Sequence, residues 1–454
     1  MEWHRHLSQL GMIRPVSGGI QVDITAGLIK KNKGMLHGTL CDHNCTSING
    51  HYDCPAAFTL NQGIDAGSLA PADFLLQGID RAIQAVKIAN ERFLNEVFGT
   101  YCKKFKVPTE VSGILAAAIR NQPIEINITG GNPELHPDII EILTRLNKRA
   151  DIVINLTTTG RKFMLDADFR HLVIENPPEV LALSADAFSS AVQVGELANK
   201  SPGELLSIWQ SIPKTHGQKQ KAVEALYIAV RLKNNPTPHT GFNLVVHPGN
   251  IKQIEDIITA LADNFPGFHI FPYPAQTGYL NTSGTFNDSD VLESFVDRMI
   301  AAHFNDILPI TPRLQYWLIL KAVFRVYNGN VQAIADMIGG RGLWHCYRNS
   351  GAIRYLQIGK GASPTNNIIG GGHLGCYWNM ATITNEDKQV WDMDVPQIAD
   401  YIFIGANMLA RESQSPCSGC GFPRLLFDVV STETGLNELL IQDYLILRKQ
   451  HAGY

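Results

Sequence analysis

Eight cysteines carry the first chemical signal in this chain of 454 residues, at positions 41, 45, 54, 102, 346, 376, 417 and 420. Three cluster in LCDHNCTSINGHYDC with the spacing C-x3-C-x8-C. Four fall in the last quarter, two of them in CSGC, and Cys102 stands apart. A disulfide framework belongs to short secreted chains, whereas close thiols in a reducing compartment read as metal ligands. Cys41, Cys45 and Cys54 have no fourth cysteine nearby. Three thiolates can hold three irons of a cubane cluster and leave the fourth iron open as a Lewis-acid and electron-transfer site. The alternative is zinc, with His43 or His51 as the fourth ligand.

The rest of the composition bounds the setting. Hydrophobic residues make up 45% and charged residues 18% of the chain, the latter below the usual ~25%. This is a globular composition, not that of a disordered chain. The formal net charge of −4 leaves no polybasic footprint for nucleic acid or an acidic membrane surface. No apolar run reaches the ~18 residues needed to span a bilayer. The start, MEWHRHLSQLGMIRP, lacks the apolar core of a signal peptide. A cytoplasmic location is expected.

The elements that must position the thiols follow from periodicity. Residues 1–37 read as an N-terminal extension containing Gly18-Gly19, too short for a separate recognition domain. Residues 71–98 read as a helix, with Leu75, Ile79, Ile83, Val86, Phe93 and Val97 at helical spacing, and 109–120 as a second. Apolar strands then alternate with helices. The strands are 124–129, 151–157, 179–184, 242–247 and 268–273; the helices are 137–148, 164–174, 203–211, 219–232 and 250–263. That alternation predicts a parallel sheet with crossover helices, an α/β fold of full or partial β/α-barrel type. Chemistry in such a sheet lies at the C-terminal strand ends. Here those ends read TGGNP, TTTG, SADA and VVHPGN. Residues 276–335 are mixed and helical. Residues 336–425 are Gly-rich, with a short strand in AIRYLQIG (352–359), and residues 425–448 close with an amphipathic stretch.

Taken in order, the three-cysteine loop, a strand ending in GGNPELHP, and then TTTG, LSADA and NLVVHPGN resemble the radical S-adenosylmethionine enzymes over roughly residues 38–275. The family's usual loop is C-x3-C-x2-C and its second motif is usually GGEP. In this chain the third cysteine comes six residues later and Asn132 stands in the acid's place. The resemblance implies a partial (β/α)6-type TIM barrel carrying a helical insert at 60–122. It implies that Cys41, Cys45 and Cys54 hold a 4Fe–4S cluster whose open iron takes the amino and carboxylate groups of S-adenosylmethionine. One electron into the sulfonium would then release a 5′-deoxyadenosyl radical that abstracts a substrate hydrogen. Gly130, Gly131, Asn132 and Pro133 would meet the methionine end of the cofactor, since a glycine lets backbone approach closely. The neutral Asn132 would bind the ammonium more weakly than an acid does. Ser184, Asp186 and Asn243 would face the ribose or carboxylate, with strand-end capping as the plainer role for each. Tyr52, two positions before Cys54, would neighbour the adenine.

Cys346, Cys376, Cys417 and Cys420 resemble the twitch or SPASM extensions that follow radical S-adenosylmethionine barrels. The shorter twitch type fits four thiols better. They would make residues 336–454 a small C-terminal cysteine-rich domain with a second, auxiliary 4Fe–4S cluster; the alternative is a structural zinc ribbon. Cys102, in TYCKKFK, is a candidate hydrogen-atom donor, with a spare buried thiol as the commoner explanation. Among the histidines, His247 at a strand end and His373 near the last cysteines merit attention. No DxHxxG cobalamin motif occurs. The implied partners are a peptide or small-molecule substrate and an external flavodoxin- or ferredoxin-like electron donor. The competing expectations are a zinc-binding barrel protein without enzymatic activity, and a degenerate fold that keeps the cluster without cleaving the cofactor. The insert at 60–122 is expected to shape or cover the site.

Overall fold

The computed structural model describes residues 20–31, 34–41, 43, 69–96, 98–104, 109–121, 123–129, 131–185, 188–214, 216–234, 239–247, 249–274, 289–305, 308, 310, 317, 321, 355–357, 368–369 and 394–400. They form an α/β structure around one parallel sheet. Strand β1 (Ile20–Asp23) is followed by the hairpin β2 (Ala26–Lys31) and β3 (Gly34–Thr39), which forms its own two-stranded sheet. Five strands then recur through the chain: β4 (Ile124–Thr129), β5 (Ile152–Thr158), β6 (Val180–Ser184), β7 (His239–Val246) and β8 (His269–Pro274). They pair in parallel in the order β1-β4-β5-β6-β7-β8. A short β9 (Tyr355–Gln357) pairs parallel to the free side of β1, and β10 (Ile368–Ile369) pairs antiparallel to β9.

The order is sequential, with no reversal. Right-handed crossovers between strands laid down in one direction put every connecting helix on the same side of the sheet. The burial pattern agrees. Ile126, Ile128, Ile154, Leu156, Leu181, Leu183, Phe242 and Leu244 point to one face and are buried in a single core with the helices. The alternate positions Asn127, Asn155, Thr157, Ser184, Asn243 and Phe271 lie on the other face and are only half-buried. A parallel sheet ordinarily has both faces covered by helices. One covered apolar face and one polar, part-open face are compatible with a partial α/β barrel.

The helices explain themselves locally. α1 (Ala72–Glu96) buries Leu75, Leu76, Ile79, Ile83, Val86 and Phe93 along one stripe. The short α2 (Phe98–Lys104) and α3 (Thr109–Asn121) follow. After β4 come α4 (Ile139–Leu146), then α5 (Arg161–Leu165) and α6 (Ala167–Glu175). The Asp166 carboxylate accepts from the backbone N–H of Asp168 and Phe169 and so caps α6. Next come α7 (Ala191–Ala198), α8 (Pro202–Ser211) and α9 (Gly217–Leu232). α8 opens with Ser201, Pro202 and Glu204, a reciprocal capping box with proline at its first position. α10 (Ile254–Asn264) and α11 (Ser289–Phe304) follow, and residues 395–400 are helical as well. Among the described residues, no helix is long and apolar enough to cross a membrane.

The sequence expectations hold for the strands from β4 to β8 within three residues at each end. Three readings need correction. Ile20–Asp23 lies inside the supposed extension 1–37 yet forms a strand of the main sheet, because Ile20 and Val22 supply buried apolar contacts beside Ile126 and Ile128. The longest described element of the supposed insert 60–122 is α1, which lies between β1 and β4 in the chain and buries twelve residues, so this helix is a crossover element of the core. Within the supposed separate segment 336–454, β9 and β10 extend the main sheet.

Candidate functional site

The C-terminal ends of β1, β4, β5, β6 and β7 bring together loops far apart in the chain. After β1 and its hairpin, the Leu40 backbone N–H donates to the Thr25 carbonyl at 3.0 Å, returning the chain to the end of β1. The first cysteine follows there: Cys41 is buried. The glycine loop after β4 packs directly on it. The Asn132 N–H donates to the Leu40 carbonyl at 2.9 Å. A Cβ on Gly131 would overlap that same carbonyl and stand 2.9 Å from the Cys41 Cβ. Glycine is required here by close backbone approach. Two motifs separated by some ninety residues of sequence thus meet backbone to backbone.

The remainder of GGNPELHP is a clasp. Pro133 begins a 3-10 turn, Pro133–Leu135, and is buried. The Glu134 carboxylate, also buried, accepts the backbone N–H of Gly160 at 3.2 Å and of Lys162 at 2.8 Å. It thereby caps α5 at the end of β5. Burial pushes this carboxyl up to about 7, with nearby Glu224 adding to the rise, while the two backbone N–H groups and His43 oppose it. His136 Nδ1 accepts the Asp138 N–H at 3.1 Å, so its proton is on Nε2, which donates to the Ala70 carbonyl at 2.8 Å. Burial lowers the pKa of this ring. Asp138 in turn accepts the Ala72 N–H at the start of α1. The motif and the aspartate that follows it therefore touch the cysteine loop, the β5 loop and the start of the first crossover helix.

A second cluster lies beneath it. Glu224, on α9, is the acceptor for three side chains. His43 Nε2 donates to its Oε2 at 2.7 Å, and Arg161 Nε and Trp209 Nε1 donate to its Oε1 at 2.9 and 2.7 Å. The side chains of His43 and Glu224 are both 0% exposed. Arg161 also donates to Gln220 Oε1 at 3.0 Å and stacks over the Trp209 ring. Burial alone would raise the Glu224 carboxyl, but attraction and hydrogen bonding from His43 and Arg161 outweigh it and hold it below the usual carboxylate range. Gly160, just before Arg161, has φ +99° and packs on the Glu224 backbone, so the turn that delivers Arg161 depends on glycine twice over.

Further along the sheet, Ser184, the last residue of β6, stands in register with Asn243 inside β7, and the Ala185 N–H donates to the Asn243 carbonyl at 2.9 Å. Both are half-buried on the polar face. Asn250 is buried and ties the last loops together. Its Nδ2 donates to the carbonyls of Phe188 and Val245, and its Oδ1 accepts the His247 N–H at 2.8 Å. His247 itself is half-buried, its Nδ1 accepting the Gly249 N–H at 3.1 Å.

Of the residues expected at a site, the structure thus gathers Cys41, Gly131, Asn132 and Pro133, and pairs Ser184 with Asn243. Cys102 lies on α2, which packs against α1; it is part-buried, and burial raises its thiol pKa. Tyr52, Cys45, Cys54, Gly130, Asp186, Cys346, Cys376, Cys417 and Cys420 lie outside the described residues, as does His373. Glu134, Arg161, Trp209 and Glu224 did not stand out in the sequence. The available signal for Glu224 was an acid amid the apolar stretch AVEALYIAV, where no helix face is left polar enough to solvate it. No protein-family model matches the chain, and no curated protein matches it in sequence.

Proposed function

We propose that this chain is a radical S-adenosylmethionine enzyme built on a partial (β/α)6-type barrel. In this reading Cys41, Cys45 and Cys54 hold the reactive 4Fe–4S cluster. Cys346, Cys376, Cys417 and Cys420 hold an auxiliary cluster in a small C-terminal domain, a part of the proposal that rests on their spacing alone. The observation that carries the reading is the contact of Cys41 and Leu40 with Gly131 and Asn132. The first thiol of the loop lies against the glycine motif at the C-terminal edge of a parallel sheet, where α/β proteins bind ligands.

The residues present fit such a cofactor. Cys41 is buried beside a stretch of backbone with no room for a side chain, so peptide groups and not bulky side chains border the thiol. When bound, the cluster and S-adenosylmethionine supply one-electron cleavage of the sulfonium and removal of a hydrogen atom from the substrate. The protein binds and orients. Gly131 and Asn132 lie where the methionine end would be met. Ser184 and Asn243 offer a hydroxyl and an amide to the ribose or carboxylate. The half-buried polar face with Asn127, Asn155 and Thr157 provides uncharged hydrogen-bonding groups below them. An external flavodoxin- or ferredoxin-like donor would bring the electron. The substrate is a peptide or a small molecule.

A second reading draws on the Glu224–His43 hydrogen bond. Metal-ligating imidazoles commonly give their other ring N–H to a carboxylate, which suits a Cys3His zinc centre with His43 Nδ1 as fourth ligand. Anaerobic purification with metal analysis separates the two. The proposal expects a brown, iron-containing protein that forms 5′-deoxyadenosine from S-adenosylmethionine under a strong reductant, and loss of that product in Cys41→Ala. Zinc without iron would overturn it, and a bound cluster without product would leave a degenerate fold.

A further inference from the structure

We propose that Glu224 is the anchor of the cysteine loop, and that His43 is a positioning residue through which it holds the chain beside Cys41. This deepens, and for its metal-bound arm rests on, the reading of those thiols as a metal centre. His43 lies between the first two thiols in Cys-Asp-His-Asn-Cys. Its side chain does not face solvent; it is fully buried against α9, with Nε2 2.7 Å from Glu224 Oε2. Glu224 cannot swing to follow a moving loop. Its other oxygen is held by Arg161 from the end of β5 and by Trp209 from α8, and its helix is buried from Gln220 to Ala229. The loop is therefore pinned at two points. Leu40 and Cys41 rest on the glycine motif through backbone contacts, and His43 rests on a carboxylate that Arg161 of α5 and Trp209 of α8 also hold.

Two pins on either side of Cys41 restrict the directions its thiol can take. This is the kind of support by which buried partners fix the orientation of metal ligands. A hydrogen bond to a charged, buried acceptor is worth more than a neutral one, on the order of 1.5–3 kcal/mol, which corresponds to about a tenfold effect or more on an opening equilibrium. The Arg161–Glu224 pair stays in place when His43 alone is changed. His43 variants therefore release the loop without leaving a buried guanidinium alone.

The test compares His43→Leu with His43→Gln in the full chain, because a glutamine amide reaches about where Nε2 lies and still donates. In the anaerobically prepared protein, His43→Leu is expected to release iron to a chelator about tenfold faster than wild type, and His43→Gln to come back within about threefold. In the metal-free chain, alkylation of the buried Cys41, followed by peptide mass spectrometry, is expected to speed up by a similar factor in His43→Leu and to be restored in His43→Gln. Unchanged alkylation and unchanged iron release in His43→Leu would overturn the anchor while leaving the enzyme reading intact. Faster Cys41 alkylation in His43→Leu, alongside a wild-type chain that binds no iron, would sustain the anchor and overturn the enzyme reading. Equal metal loss in both variants, with no rescue by glutamine, would overturn the positioning role, since a ligand and not a support would have been removed.

Discussion

Gly131 lies so close to Leu40 that no side chain fits between them. A Cβ at Gly131 would overlap the Leu40 carbonyl oxygen, and the neighbouring Asn132 N–H donates to that same oxygen at 2.9 Å. The obstacle is backbone, which cannot rotate aside as a side-chain tip can.

The first prediction follows from this contact. Gly131→Ala is expected to destabilise the fold by about 2 kcal/mol, within the usual cost of overpacking. Gly113→Ala is the control: Gly113 sits in α3 with nothing within 4 Å of a built Cβ, and alanine there is expected to stabilise by up to about 1 kcal/mol. Denaturant unfolding of the two variants reads the difference, and equal effects would contradict the packing argument.

Glu134 predicts a pH dependence. In the unfolded chain a glutamate titrates at about 4.3; burial pushes the native carboxyl up to about 7. Between those values the native state binds more protons than the unfolded state, so the Glu134 contribution to stability falls as pH rises through that window. It is fully present below about 4.3 and lost above about 7. The slope is at most about 1.4 kcal/mol per pH unit for one proton. Subtracting the unfolding free energies of Glu134→Gln from those of wild type, pH by pH, isolates it. A difference that stays constant from pH 4 to 8 would sink the assignment.

Asn250 is a purely structural tie. Its side chain makes three hydrogen bonds to backbone groups of Phe188, Val245 and His247 while 1% exposed. Asn250→Ala strips partners from buried backbone groups, and each such group left unpaired costs ~1–3 kcal/mol. The expected loss is about 3 kcal/mol in denaturant unfolding, with Asn250→Asp at least as harmful at neutral pH because its second carboxylate oxygen would face the Phe188 and Val245 carbonyls with no proton to donate.

Ser184 and Asn243 test the enzyme reading away from the metal. Both are half-buried on the polar face, so trimming either to alanine is expected to change stability by less than about 0.5 kcal/mol. If they meet the ribose or carboxylate, each variant weakens S-adenosylmethionine binding to the reconstituted protein by about three- to tenfold, the worth of one hydrogen bond. Calorimetric titration measures it. Unchanged affinity in both would remove these two residues from the cofactor site.

Much of the architecture was legible from periodicity. Apolar runs such as IEINIT and DIVINLT declare buried strands, and the helices between them require a parallel sheet. The short β1 was not legible, because four residues carry too little pattern and only pairing with β4 makes Ile20–Asp23 a strand. The first crossover helix was read as a helix but misread as an addition, since its role depends on the strand before it.

The sequence by itself determined which residue types and spacings could ligate a metal, and which strand ends would carry small and polar side chains. These are local properties, set by chemistry and by a two- or 3.6-residue period. Only the tertiary structure decided that Cys41 rests on Gly131, that Glu134 closes the next strand's loop, and that His43, Arg161 and Trp209 converge on Glu224. Contacts across 15 to 181 positions leave no periodic trace in the chain. A buried carboxylate with three donors becomes recognisable only when the elements that exclude water from it are assembled.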